Sequence, residues 1–183
     1  MIMRTSQSAR SRVGRNTCLL LTLTVTLFAQ IPATPPLTGS EPESEEVRGR
    51  SIGYMRSRDG GAWVPNADTL PYRGTSAGGG YSTVGDLLKF ADALMAHRLL
   101  NAEYTDLLIT GKVDTGGGGK YAYGFEDSRK DGLGFVGHGG GAPGMNGDLR
   151  IDPHSGYVIA VLSNLDPPAA QQVSSFLEAR LPK

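Results

Sequence analysis

The stretch Leu133-Gly-Phe-Val-Gly-His-Gly-Gly-Gly-Ala-Pro-Gly-Met-Asn-Gly-Asp-Leu-Arg-Ile-Asp-Pro-His-Ser-Gly-Tyr-Val-Ile-Ala-Val-Leu162 decides the fold. Its apolar residues fall in three short blocks. Leu133 and Phe135 alternate ahead of Gly137 and His138, Leu149 and Ile151 alternate ahead of Asp152, and residues 157–162 are apolar throughout. Alternation with a period of two predicts a strand with one buried face; a short unbroken apolar run predicts a strand buried on both. Asp152-Pro-His-Ser-Gly156 reads as a hairpin connection. Downstream, Asp166 is expected to cap a last helix with Pro167 in its first turn. Ala170, Val173, Leu177 and Leu181 recur at helical spacing and predict its buried stripe. Strands followed by an amphipathic helix imply an α+β layer, a partial antiparallel sheet covered by helices.

Upstream, Tyr121, Tyr123 and Phe125 alternate and predict another strand. Before them lie two helices. Thr83 and Asp86 form a capping box, followed by Leu87, Phe90, Ala91 and Leu94 on one face. Asn101 is placed to cap a second helix that stops by Gly111. Residues 57–81 read as loop, and Ser51-Ile-Gly-Tyr54 as a short strand where order begins. Residues 30–50 are rich in Pro, Ser and Glu and read as a disordered linker, which leaves 51–183 as the folded domain.

Residues 1–29 read as a signal peptide. Arg4, Arg10, Arg12 and Arg15 precede an apolar run from Cys18 to Ala29, and no acidic residue is present there. The run suits a leader and is short of the ~20 residues that span a bilayer. Cleavage after Ala29 or Ala33 is expected, giving a secreted or periplasmic chain with no stable membrane span. The whole sequence has 18 basic and 18 acidic side chains, so losing those arginines leaves a mildly acidic product. Such a charge offers no reason to expect nucleic-acid binding. The single cysteine, Cys18, goes with the leader, which excludes a disulfide, a thiol nucleophile and a cysteine-based zinc site. His97, His138 and His154 are too scattered for zinc, and no metal or cofactor is expected.

His138-Gly-Gly-Gly-Ala-Pro-Gly-Met-Asn146 brings an imidazole to a strand end beside backbone that lacks Cβ atoms. Such backbone lets a ligand approach closely and can aim N–H groups at a developing oxyanion. The same letters also describe a glycine-rich turn next to a surface histidine. The wider order of motifs separates the two. Gly78-Gly-Gly-Tyr-Ser-Thr-Val-Gly-Asp-Leu-Leu-Lys-Phe90 is followed by Tyr123-Gly-Phe125, Gly137-His-Gly-Gly140, Gly144-Met-Asn-Gly147 and Val161-Leu-Ser-Asn164. In this order the chain resembles, over residues 51–181, the C-terminal half of the β-lactamase-like serine hydrolases, which include class C β-lactamases, penicillin-binding proteins and related esterases. The resemblance implies that His138 stands at the first position of the Lys-Thr-Gly motif, here His-x-Gly, on the strand that walls the active site. It further implies that Gly141 supplies an oxyanion-hole N–H, that His138 holds substrate or moves protons, and that Gly139 and Gly140 keep the wall open to substrate.

The family's nucleophile is the serine of Ser-x-x-Lys. No serine in this sequence has a lysine three residues later, and neither Tyr-x-Asn nor Ser-x-Asn occurs. A rival nucleophile is Ser76 in Gly74-Thr-Ser-Ala-Gly78, which matches Gly-x-Ser-x-Gly and is followed by Asp127 or Asp131 and then His138. That elbow requires a strand before the serine and a helix directly after it. Gly116-Gly-Gly-Gly-Lys120 imitates a phosphate loop, but Tyr121 replaces the Ser or Thr that would meet magnesium. Three readings follow: a partial serine hydrolase inactive alone, an exported non-catalytic module that binds a peptide or cell-wall fragment, and a Ser76 esterase. A small molecule or peptide is the expected substrate. Residues 157–162, if left at a sheet edge, would invite self-association through strand pairing.

Overall fold

The computed structural model describes residues 2–4, 38–130 and 134–182. In chain order the elements are β1 (Ile2–Arg4), β2 (Tyr54–Arg56), β3 (Trp63–Pro65), α1 (Val84–Met95), α2 (Ala102–Ile109), β4 (Val113–Asp114), β5 (Lys120–Tyr121), β6 (Glu126–Asp127), β7 (Val136–Ala142), β8 (Met145–Ile151), β9 (Tyr157–Ser163) and α3 (Ala169–Glu178). The main sheet has seven strands in the order β1-β9-β8-β7-β6-β5-β4, while β2 and β3 form a separate hairpin. Every neighbouring pair is antiparallel. The expected antiparallel sheet with helices is therefore the fold.

β8 and β9 contain the expected blocks at Leu149–Ile151 and 157–162, whereas β7 begins only at Val136, past Phe135 of the expected first block. β7 and β8 pair from Val136↔Ile151 to Ala142↔Met145, and β8 and β9 from Ile151↔Val158 to Asn146↔Ser163. The hairpin between β8 and β9 is fastened by the Asp152 carboxylate, which accepts from the N–H groups of His154 and Ser155, and by Gly156 at φ 75°. Val136, Ile151 and Val158 line one sheet face and pack with Ala91 and Leu94 of α1, Ile109 of α2, and Ala122 and Phe125. α1 is N-capped by Thr83, whose Oγ1 accepts from Asp86 N–H; Asn101 caps α2 by accepting from Tyr104 N–H. Removing the six large apolar side chains of this cluster from water supplies the main local driving force, ~1.5–3 kcal/mol each.

Several local expectations need correction. Tyr121, Tyr123 and Phe125 do not share one strand. Ala122 N–H donates to the Phe125 carbonyl and Gly124 takes φ 80°, so the chain turns at Tyr123 and Gly124 and returns as β6. Asp166 does not cap α3; Pro168 is the N-cap residue, and the Asp166 carboxylate accepts instead from Gly144 N–H at 2.8 Å and Arg56 N–H at 3.0 Å. On α3 the fully buried positions are Ala170 and Ser174, while Val173 points to solvent, because small side chains let the helix lie close on the sheet. Residues 57–81 contain β3 and a short 3-10 turn, Ala67–Thr69, as well as loop. The first strand after residue 50 is Tyr54–Arg56, not 51–54.

Residues 38–50, read above as linker, run against the body. Gly39 exchanges two backbone hydrogen bonds with Tyr81, Glu43 N–H donates to the Tyr72 carbonyl, and Arg50 pairs with Glu43. At the other end of the sequence order, Ile2–Arg4 pairs with Tyr157–Ile159, so part of the outer edge of β9 is covered. The rest of the expected leader, Cys18 included, together with Asp131 and Leu133, lies outside the described residues. Among the described residues no helix is long and apolar enough to cross a membrane.

Candidate functional site

The site grows out of β7. The strand does not end at His138, as expected, but continues through Gly139, Gly140 and Gly141 to Ala142, held in register against β8. A two-residue turn, Pro143-Gly144, closes the hairpin with Gly144 at φ 72°. Buried Asn66 clamps that turn by donating its side-chain amide to the Pro143 carbonyl at 2.9 Å.

Strand alternation fixes where the backbone groups of this segment point. Ser128 N–H donates to the Phe135 carbonyl, so odd-numbered residues here turn their N–H and C=O toward β6. β6 stops opposite Gly137. Gly139 and Gly141 therefore present their backbone groups along an edge that β6 does not reach. Even-numbered residues turn toward β8, as the Gly140 carbonyl does in accepting from the Asn146 side chain at 2.6 Å. Asn146 is buried, and its Oδ1 accepts from Ala170 N–H at 2.7 Å, which seats the start of α3 against the β7–β8 hairpin.

The glycines have different tasks. A Cβ at Gly137 would overlap the Leu149 carbonyl, and one at Gly141 would overlap Pro167, so both are required for close packing. A Cβ at Gly139 would meet Gln171 Nε2 at 2.9 Å, the end of a flexible side chain. At Gly140 a Cβ would meet nothing within 4 Å. A groove of about 650 Å³ follows β7, lined by the 137–141 run and by Asn146, Asp148, Arg150, Pro167, Gln171 and Glu178. Arg150 in this groove bonds the carboxylates of Asp148 and Glu178.

His138 is exposed on this strand. Its Nε2 lies 3.0 Å from Tyr121 Oη, the rings meet edge to face at 5.7 Å and 79°, and its Nδ1 reaches the Gly139 carbonyl. Tyr121 is the neighbour that sequence reasoning missed, having assigned it to a strand face. It reaches His138 from β5, two strands away, and no sequence spacing signals that contact.

Ser76 lies elsewhere. It sits in a tight turn closed by Thr75 and Gly78, which exchange backbone hydrogen bonds, and it does not line the groove. No strand leads into it, and the next helix begins only at Val84. Asp127 is likewise committed, to Arg129 and to Gly111 N–H. His97 lies just past the end of α1 and His154 in the β8–β9 hairpin, apart from His138. Among the described residues no group of three metal-ligating side chains is assembled.

A Beta-lactamase family model matches residues 34–181, beginning inside the stretch read as linker. Among solved structures, a penicillin binding protein from Bacillus halodurans is 31% identical with a TM-score of 0.73, over 79% of this chain and 44% of its own. An octameric penicillin-binding protein homologue from Pyrococcus abyssi is 27% identical with a TM-score of 0.59, over 70% and 31%. A D-stereospecific amidohydrolase from Streptomyces sp. shares the fold at 24% identity and a TM-score of 0.59, over 80% and 42%. The chain thus spans less than half the length of each of these proteins. No curated protein matches.

Proposed function

Because the chain belongs to the β-lactamase family, we propose that it supplies the C-terminal wall of a serine-hydrolase site and has no turnover by itself. The observation that carries this reading is the open edge of β7: β6 stops opposite Gly137, and strand alternation assigns the Gly141 N–H to that edge, three residues on from the exposed His138. An outward backbone N–H on a fixed strand is a preorganised donor for the oxyanion of an ester, amide or lactam carbonyl under attack. His138 then holds the substrate or moves protons at that wall, and Gly140 leaves room for it. Support for a lactam or amide comes from the 31%-identical relative, which is named for binding penicillin.

The other requirement of the reaction is a serine activated by a base. None of the serines in the 183 residues stands three before a lysine, and Ser76 is held in a turn away from the groove. A second reading, a binding module for a peptide or cell-wall fragment, is supported by the groove of about 650 Å³ that follows β7. The two predict the same absence of hydrolysis and differ in affinity. Purified chain should leave a chromogenic cephalosporin and a nitrophenyl ester at background rates. Calorimetric binding of a D-alanyl peptide by the chain alone would favour the binding module, and hydrolysis abolished by Ser76→Ala would overturn both.

A further inference from the structure

Among the described residues Tyr121 is the one side chain hydrogen-bonded to the His138 ring, and nothing in the wall reading uses it. His138 Nδ1 faces the Gly139 carbonyl, an acceptor only, and this placement fits a proton on Nδ1. A neutral ring then has its single acceptor at Nε2. The phenol of Tyr121, 3.0 Å away, is the donor that fits it. Both anchors of the ring are themselves fixed. Tyr121 pairs with Val113 on one side and Glu126 on the other, and its carbonyl accepts from Lys112 N–H at 2.8 Å. The Gly139 carbonyl is free to accept because β6 ends short of it.

We propose that Tyr121 is a positioning residue: its O–H holds His138 in the Nδ1–H tautomer and fixes the ring on the open edge of β7. Its functional meaning rests on the reading of β7 as a substrate wall; its test does not. If the wall reading fails, the tautomer measurement still stands or falls alone, because it involves no substrate. A tyrosine that merely fills space beside the ring would be replaced by phenylalanine without consequence. A tyrosine that sets the tautomer would not.

The experiment uses the full 183-residue chain labelled with nitrogen-15, with long-range proton–nitrogen correlation of the imidazoles at a pH where they are neutral. The sequence has three histidines, and His138→Gln identifies the signals of His138. Wild type is expected to show Nδ1 protonated and Nε2 as acceptor, with the Tyr121 hydroxyl proton correlating to His138 Hε1. Tyr121→Phe should raise the Nε2–H population roughly fivefold, the effect of removing one net hydrogen bond. His97 and His154 should not move, and Tyr123→Phe should change nothing. An unchanged tautomer ratio in a folded Tyr121→Phe would overturn the proposal. If that variant unfolds, wild type decides alone: the Nδ1–H form with the hydroxyl correlation upholds the proposal, and the Nε2–H form refutes it.

Discussion

Gly137 and Gly140 lie three positions apart on β7 and meet different surroundings. Neither has a positive φ, so alanine is conformationally allowed at both and only space decides. A Cβ at Gly137 collides with the backbone of β8, which cannot yield without breaking register. Gly137→Ala should therefore cost at least ~2 kcal/mol, at the upper part of the range for overpacking. Gly140→Ala should change stability by no more than ~0.5 kcal/mol. Urea midpoints of the two variants check the contrast, and equal losses would show that the β7 ladder is drawn wrongly. The sequence carried the position of His138 and of the glycines through their spacing. It did not say which glycine was needed for packing and which for access, since that depends on the opposite strand. Tyr121 was hidden for the same reason.

At the level of elements, side-chain carboxylates hold the turns in place. Asp127 on β6 accepts from Arg129 and from Gly111 N–H, tying the exit of α2 to the sheet. Those partners, the Arg129 guanidinium first, hold its carboxyl at about 2, below the usual 3.8. A lowered carboxylate stabilises the fold above its unfolded value and loses that contribution as pH falls through the folded one. Asp127→Asn should thus cost ~1–2 kcal/mol at neutral pH, and the gap to wild type should close between about pH 4 and pH 2. Urea titrations at three pH values in that range test it. Asp166 joins the β7–β8 turn to β2 through Gly144 and Arg56. Asp166→Ala should speed amide exchange at Gly144 and Arg56 and leave α1 amides unchanged, which hydrogen-exchange mass spectrometry or NMR can read. β8, β9, α1 and α2 were legible because periodicity and caps are local signals, and α3 was legible through its spacing but not its cap. The short hairpin at Tyr123 was not: alternation of three aromatics imitates a strand, and only φ at Gly124 reveals the turn. Val173 was misplaced on α3 because hydrophobicity was weighed above the closeness of the helix to the sheet.

For the whole molecule, the sheet edge and the apolar surface set behaviour. Leu162, Leu165, Tyr54 and Trp63 remain substantially exposed, and β1 covers only Tyr157–Ile159 of the outer edge of β9. Export would remove residues 1–29 and with them that cover; a secreted product is then expected to begin between residues 30 and 35 by intact mass. An uncovered edge and exposed apolar groups favour strand pairing between chains. A chain beginning at Gln30 should self-associate more strongly than the 183-residue chain in size-exclusion chromatography with light scattering. Two cleanly monomeric species would contradict this. The family and the sheet were readable from the order of motifs, whereas the contacts made by residues 38–50 were not, because a Pro- and Glu-rich composition does not reveal partners such as Tyr72 and Tyr81. The central claim, a hydrolase wall without its own nucleophile, is met most directly by treating the purified chain with a fluorophosphonate probe and mapping adducts by peptide mass spectrometry. The account predicts no labelled serine; stoichiometric labelling of Ser76, with ester turnover lost in Ser76→Ala, would contradict it.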